Sequence, residues 1–318
     1  MLILDDALHH PELPRGVVAT IGNYDGVHRG QRAILERVVE RARERALRAV
    51  AITFDPHPKS VLRPETAPAL LTPRPQRDAL IAEIGLDALL VIRFDTTFAA
   101  TSADDFARDF LHRRLDMREL HVGSDFRFGR GRTGDLAHLQ ALGETLGFTA
   151  EGGSLLREDG AVVSSTRIRS LLDDGHAAAA RALLGRPYAL YGTVVRGARM
   201  GQRLGWPTIN LDPVSELIPA SGVYVSRVRL PSYSSPFEAV TNIGTRPTVY
   251  ESFDRVIESH LIDFDGDVYG QAVEVELLDH LRDEQMFSTV MELAAQIGRD
   301  VEAARTYFAA RRTALPTS

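Results

Sequence analysis

The segment IGNYDGVHRGQRAIL, residues 21–35, places a single histidine among three glycines where the sequence pattern changes. Apolar, β-branched residues precede it and apolar residues at helical spacing follow it, which predicts a strand-to-helix turn. Glycines let a phosphate approach the backbone, and His28 can donate a hydrogen bond to it or, when protonated, supply a charge. The turn therefore predicts an anion site, and an ordinary turn with an exposed histidine is the alternative. The candidate ligand residues are Gly22, Asn23, Asp25, His28, Gly30 and Gln31.

Two later segments offer complementary groups. VGSDFRFG, which follows another apolar run, contributes Asp125. VSSTRIRSLL, residues 163–172, begins a helix in which Ser165 and Thr166 supply hydroxyls and Arg169 supplies a charge. These types at a helix start predict a clamp for a polyphosphate, and a capped helix with surface arginines is the alternative.

Two oxygen-bearing side chains lie two positions apart in the segment GWPTINL, residues 205–211. In an extended chain Thr208 and Asn210 face the same side, so they can present their oxygens together. Mg²⁺ prefers hard oxygen ligands and shares them with substrate phosphates. The pair predicts a magnesium-phosphate contact, and two polar residues on an exposed strand face are the alternative.

The elements that position these groups follow two different patterns. From Gly16 to about Leu172, runs rich in Val, Ile and Leu alternate with amphipathic helices, which predicts a doubly wound α/β fold with a parallel sheet. After Gly185, six short strand-like runs follow one another without a helix, which predicts an antiparallel barrel or sandwich, and an apolar helical stripe closes the chain. We predict one domain over residues 1–183 and a second over 184–318.

Composition excludes several classes of protein. The chain of 318 residues is 44% hydrophobic and carries a formal net charge of −6, which favours a soluble globular protein and disfavours a nucleic-acid binder. No window approaches the roughly 20 apolar residues of a membrane span, and the first ten residues are acidic where a signal peptide is basic. The absence of cysteine excludes disulfides and a cysteine nucleophile. We therefore expect a cytoplasmic protein that binds neither membrane nor nucleic acid.

Four segments of the first half, GNYDGVHRG, TFDPHP, VGSDFRFG and SSTRIR, occur in this order. They resemble the nucleotidyltransferase module of bacterial bifunctional riboflavin kinase/FAD synthetases, the family that makes FMN and then FAD. The resemblance implies an FMN adenylyltransferase domain that uses ATP. The family's H-x-G-H motif falls on residues 28–31, where Gln31 replaces the second histidine.

The second half carries its own resemblance. GWPTIN, IPASGVYV, VTNIGTRPT and IESHLIDFDGDVYGQ resemble the riboflavin kinase module of the same family, with Ile209 replacing the alanine of its P-T-A-N motif. The resemblance implies Thr208 and Asn210 as Mg²⁺ and phosphate contacts. It also implies Glu258 as the catalytic base that accepts the proton of the riboflavin 5′-hydroxyl. A strand carboxylate paired with Arg255 or Arg227 is the alternative interpretation of Glu258.

The implied function is a bifunctional enzyme. ATP phosphorylates riboflavin to FMN, and a second ATP adenylylates FMN to FAD with release of pyrophosphate. The FMN phosphate is already anionic and needs no base, so His28 would stabilise charge while Gln31 donates a neutral hydrogen bond. One alternative is a riboflavin kinase with a silenced first domain. Another is a non-catalytic flavin sensor or RNA-binding regulator, which the motif residues of the second half and the acidic net charge oppose.

Overall fold

The computed structural model describes residues 1–197, 201, 204–247 and 253–313. The chain forms two compact units, Met1–Ser164 and Ser165–Ser318. This division by contacts falls between residues 164 and 165, and the predicted domain division between residues 183 and 184 stays a prediction. In the described ranges, no helix is long and apolar enough to cross a membrane.

A six-stranded parallel sheet forms the centre of the first unit. Its strand order is β1-β4-β3-β2-β5-β6. The strands are β1 (Leu2–Leu4), β2 (Val17–Ile21), β3 (Arg48–Asp55), β4 (Ala88–Arg93), β5 (Met117–Gly123) and β6 (Thr149–Gly153). The helices are α1 (Arg29–Glu44), α2 (Pro58–Leu62), α3 (Arg74–Ala82), α4 (Thr96–Ala99), α5 (Ala103–Asp105) and α6 (Leu136–Leu146). A π-helical stretch, Phe106–Arg114, continues α5, and a small antiparallel ribbon pairs β7 (Arg157–Glu158) with β8 (Ala161–Val162).

Alternate residues of the central strands enter two different apolar clusters. Val17 and Ala19 of β2 pack in one cluster, whereas Val18 packs in the other with Leu35 and Val38 of α1. Since successive strand residues face opposite sides, both faces of the sheet are covered. The predicted doubly wound α/β fold is confirmed.

A buried ionic cluster joins β5 to α1. Glu119, only 1% exposed, accepts hydrogen bonds from Arg41 at 2.7 and 3.0 Å and from Arg45 at 2.8 Å. His121 lies 2.7 Å away, and its other nitrogen lies 3.7 Å from Glu151. Burial alone raises the pKa of Glu119, but these hydrogen bonds outweigh it and hold the pKa at about 2. Two arginines on the one buried carboxylate make the cluster a poor cation site.

We expect Glu119→Gln to lower the free energy of unfolding at pH 7 by about 2 kcal/mol, because it removes the charge from a buried acceptor of hydrogen bonds from Arg41 and Arg45. The folded-state pKa lies below the usual 4.5, so the stabilisation is present above pH 4.5 and is lost as the pH falls towards 2. Urea unfolding of both proteins between pH 7 and pH 3 measures the difference. Glu151→Gln, at an exposed position, should change stability little. An equal loss at pH 3 and pH 7 would contradict this account.

The second unit is built on a closed antiparallel barrel with strand order β10-β13-β12-β11-β14-β9. Helices α7 (Ser165–Asp173) and α8 (Ala177–Leu184) precede it, and α9 (Val290–Thr313) follows it. The strands are β9 (Tyr188–Val195), β10 (Ile209–Pro213), β11 (Gly222–Arg229), β12 (Phe237–Pro247), β13 (Phe253–Leu261) and β14 (Ala272–Arg282). The predicted six-stranded β domain with a terminal helix is confirmed, and it is a barrel.

Helix α9 packs on the outside of this barrel. Val301, Ala304 and Phe308 contact a cluster that includes Val225 of β11 and Val240 of β12. Alternate residues of the same strands face the barrel interior, where three hydroxyls form a buried chain with separations of 2.7 and 2.8 Å, through Ser226, Thr241 and Ser259. The two faces of these strands therefore differ, one packing against α9 and the other carrying the hydroxyl chain.

Candidate active sites

The first candidate site lies where the strand order of the parallel sheet reverses, between β2 and β5. From β2 the chain continues to β3 on one side, whereas β5 continues to β6 on the other, and β2 and β5 are neighbours. Ligands of such sheets bind beyond the carboxyl ends of the strands at this point. The loops that leave β2 and β5 there carry His28 and Asp125. The topology thus brings together two regions that are nearly 100 residues apart.

His28 is the N-cap of α1 and takes part in a capping box with Gln31. The backbone N–H of Gln31 donates to Nδ1 of His28 at 3.2 Å, and the backbone N–H of His28 donates to Oε1 of Gln31 at 3.1 Å. Gly30 lies against the ring, because a Cβ there would be 3.4 Å from two imidazole atoms. The histidine is 7% exposed and is held at the positive end of the helix dipole, where an anion would bind.

The backbone before this cap adopts an unusual conformation. Tyr24 and Val27 have φ angles of 50° and 42°, a region that β-branched residues rarely occupy. The Tyr24 hydroxyl lies 2.9 Å from Thr20 Oγ1, and burial raises the tyrosine pKa well above its usual range. Such strain persists only where the surroundings fix the chain, and it concentrates at functional sites.

Asp25 connects this loop to the segment before α3. Its carboxylate accepts hydrogen bonds from the backbone N–H groups of Leu71 at 2.8 Å and Thr72 at 3.2 Å, and the residue is 5% exposed. The Thr72 hydroxyl in turn accepts from the N–H of Gly26 at 3.1 Å. These contacts give Asp25 a role in holding the loop, and its predicted contact with a ligand stays a prediction.

Asn23 adjoins the TFDPHP segment at the end of β3. Its side-chain amide lies 3.2 Å from Nε2 of His57, whose Nδ1 accepts from the backbone N–H of Lys59 at 3.1 Å. The neighbouring Gly22 donates its N–H to the carbonyl of Ile52 at 3.0 Å. His57 is therefore a second imidazole at the sheet edge. It was not among the predicted site residues, although its place directly after a buried strand was a usable signal.

Phenylalanine rings continue along the same edge. Phe54, Phe94 and Phe98 are half-buried, with ring centroids 5.6 to 6.0 Å apart, and Phe126 stacks on Phe128 at 5.6 Å. Phe54 lies near the end of β3, and Phe94 directly follows β4. The sequence pattern does not identify these rings as site residues, because a phenylalanine in an apolar run is typical of a buried core. Their partial exposure makes an aromatic platform available to a flat ligand.

The remaining predicted residues of the nucleotide site are dispersed. Asp125 is exposed in the loop after β5. Ser165, Thr166 and Arg169 lie in the first turns of α7, which belongs to the second compact unit; Thr166 is exposed and the other two are half-buried. Their participation in one site with His28 stays a prediction.

The second candidate site is a polar row on the outer face of the barrel. Glu258 of β13 lies directly opposite Asn210 of β10 on one side and Asn242 of β12 on the other. Directly opposed residues share a face, with Cβ atoms about 5 Å apart. The row faces away from Ile257 and Ser259, which are buried inside. The structure thus brings together Asn210 and Glu258, two site residues predicted from the sequence. It also places Asn242, which was not predicted, in the same row.

Two glycines lie over the Thr208 and Asn210 side chains. A Cβ at Gly197 would fall 2.3 Å from the carboxamide nitrogen of Asn210, and one at Gly201 would fall 3.2 Å from the Thr208 hydroxyl. Nδ1 of His260 donates to the carbonyl of Pro207 at 2.7 Å and so fixes the start of this segment. The hydroxyl, carboxamide and carboxylate of these residues are hard oxygen donors, and the glycines let the backbone approach the Thr208 and Asn210 side chains closely. The residues present therefore fit Mg²⁺.

The two arginines that the alternative interpretation pairs with Glu258 contact other groups. Arg227 forms an ion pair with Glu276 at 3.0 Å, and Arg255 donates to the carbonyls of Ile218, at 3.0 Å, and Pro219. Both guanidinium groups are thus held by groups outside the row.

The fold and the two sites define a two-module transferase that uses nucleotides. Residues 10–167 match the family model described as FAD synthetase, and residues 184–308 match that of riboflavin kinase. The chain is 42% identical to the bifunctional riboflavin kinase/FMN adenylyltransferase of Escherichia coli (strain K12), over 92% of this chain and 93% of the relative. It belongs to the bifunctional riboflavin kinase/FMN adenylyltransferase family.

Other similar proteins cover the same length. The enzyme of the same name from Pseudomonas fluorescens is 40% identical, over 92% of this chain and 93% of the relative. A crystal structure described as a macrolide-efflux protein from Streptococcus pneumoniae has a TM-score of 0.86 and 26% identity, and the match covers 96% of this chain and 99% of that chain. The family resemblance found in the motifs is confirmed over nearly the whole chain.

Proposed function

We propose that this chain makes FAD from riboflavin in two ATP-dependent steps. The second unit phosphorylates the riboflavin 5′-hydroxyl to give FMN and ADP. The first adenylylates FMN to give FAD and pyrophosphate. The observation that carries the proposal is the row in which Glu258 of β13 pairs directly with Asn210 of the neighbouring strand β10. Relatives at 42% and 40% identity are named for both activities, which supports the bifunctional assignment.

In the kinase step, Glu258 orients the 5′-hydroxyl and accepts its proton as the oxygen attacks the γ-phosphorus of ATP. Asn242, on the other side of Glu258, is placed to hold the carboxylate or a neighbouring flavin hydroxyl. Thr208 and Asn210 would hold Mg²⁺ and the phosphates. When bound, the metal screens the charge of the β- and γ-phosphates.

In the adenylyl transfer step, an oxygen of the FMN phosphate attacks the α-phosphorus of ATP, and pyrophosphate leaves. No base is needed, so catalysis consists of alignment and charge stabilisation. His28 and the N-terminus of α1 supply donors at the sheet edge. The half-buried phenylalanines provide the apolar surface on which the flavin ring rests.

The kinase-only alternative has no support. The first unit keeps the capped His28, the strained turn and the strand order of a ligand-binding sheet. A non-catalytic sensor is opposed by the Asn210 and Glu258 row. Because ATP and flavins are cytoplasmic metabolites, we place the reactions in the cytoplasm, and the enzyme is a flavoprotein only in the sense that it binds its flavin substrates and products.

Thr208→Ala should lower kcat/KM for ATP in the kinase step by about 10- to 100-fold, the effect of losing one hydrogen bond to a charged group. Steady-state phosphorylation of riboflavin at varied Mg²⁺-ATP measures this effect. Thr306→Ala, an exposed position on α9, should leave the step unchanged. A Thr208→Ala protein that unfolds at lower temperature but phosphorylates normally would show that the hydroxyl is structural.

A further inference from the structure

The hydrogen bonds of the capping box determine where the imidazole proton of His28 resides. Nδ1 accepts from the backbone N–H of Gln31 at 3.2 Å, and a nitrogen that accepts carries no proton. The proton of the neutral ring is therefore on Nε2. The imidazole thus presents Nε2–H as a fixed donor at the N-terminus of α1.

The Gln31 side chain completes this arrangement. Its Oε1 accepts from the backbone N–H of His28 at 3.1 Å, so the carboxamide oxygen is committed to the helix cap. Glutamine and glutamate are the residues that serve at this position of a capping box. The side chain satisfies a donor of a residue that is only 7% exposed, where an unmade hydrogen bond is costly.

We infer that Gln31 is a positioning residue for adenylyl transfer, which holds His28 as the Nε2–H tautomer, and that it is not itself the phosphate donor. The inference rests on the proposed adenylyltransferase function. The strained Val27, with φ of 42°, immediately precedes the cap, and such strain persists where neighbouring contacts, here including the box, fix the chain. Gly30 gives the ring a close neighbour on the helix side.

Two substitutions separate positioning from direct contact. Gln31→Glu keeps the acceptor of the capping box but cannot donate, and it adds a negative charge. Gln31→Met matches glutamine in size but has no strong acceptor or donor. If Gln31 positions His28, Gln31→Met should lower the rate of FAD formation from FMN by about 5- to 30-fold, the effect of a lost cap. Gln31→Glu should retain more activity than Gln31→Met.

The opposite order would overturn the inference. Were Gln31 a phosphate donor, both variants would lose the contact, and the added charge would make Gln31→Glu the slower protein. Phosphorylation of riboflavin in the same preparations should equal that of the wild type and so reports that the chain is folded. Gln31→Ala repeats the test with a smaller side chain and should behave as Gln31→Met does.

A spectroscopic measurement tests the same inference without turnover. Imidazole ¹⁵N chemical shifts of the full ligand-free chain, assigned with His28→Ala, distinguish the two tautomers. We expect the Nε2–H form in the wild type and in Gln31→Glu. Gln31→Met keeps the backbone N–H of residue 31, but without the side-chain acceptor of the box this N–H is no longer held against Nδ1, so we expect a mixture. An identical tautomer ratio in all three proteins would refute the positioning role. If the wild type formed no FAD, the proposed function would fail, but the tautomer measurement would still decide on the positioning.

Discussion

Glu258→Gln is expected to lower the rate of FMN formation by about 10²- to 10⁴-fold, the range of a general base. Glutamine keeps the size and one hydrogen-bonding oxygen but cannot accept the proton of the 5′-hydroxyl. The row of Asn210, Glu258 and Asn242 belongs to the kinase site alone. Adenylylation of supplied FMN should therefore continue at the wild-type rate. Chromatographic separation of riboflavin, FMN and FAD after single-enzyme incubations measures both rates.

A matched control is Glu302→Gln, which removes one negative charge from an exposed position of α9. It should leave both reactions unchanged. Near-normal FMN formation by the Glu258→Gln protein would contradict the assignment of the base, and an equal fall in both reactions would indicate damage to the chain as a whole.

His28→Ala is expected to lower FAD formation by about 10²- to 10³-fold, the effect of removing one oriented donor from a developing charge. It should also lower the free energy of unfolding by about 1 kcal/mol, because α1 loses its N-cap. Riboflavin phosphorylation should be unaffected. Rates with supplied FMN and ATP, together with urea unfolding, measure the two effects separately.

His28→Asn distinguishes the two roles of this histidine. Asparagine is a favoured N-cap residue, so the substitution should restore most of the stability. It lacks the imidazole Nε2–H, so it should not restore the rate. Recovery of FAD formation in His28→Asn would contradict a direct role of the imidazole and leave His28 as a structural cap.

Long, strongly patterned elements could be predicted from the sequence. The central strands β2, β3 and β4 are rich in Val, Ile, Leu and Ala, and burial on both faces explains their largely continuous apolar character. The edge strands β1 and β6 were missed because LIL is short and TAEGG has no apolar run. Each edge strand is identified by its pairing with a neighbouring strand, β4 for β1 and β5 for β6, and its own sequence does not indicate it.

The site could be predicted in part. The pairing of Asn210 with Glu258 agrees with the motifs, but Asn242 depends on the barrel register, which closure of distant strands sets. Histidine is not a common N-cap residue, so the capping box of His28 and Gln31 could not be foreseen from composition. The loop-holding contacts of Asp25 reach a segment 46 and 47 residues away, beyond any local pattern.

The most direct test of the central claim uses the unmodified full chain. It is incubated with riboflavin, ATP and Mg²⁺, and FMN and FAD are resolved over time; a second incubation starts from FMN. We predict that FMN appears first, that FAD follows, and that supplied FMN is converted to FAD without riboflavin. Formation of FMN without FAD in both incubations, with oxidised and with reduced flavin, would contradict it.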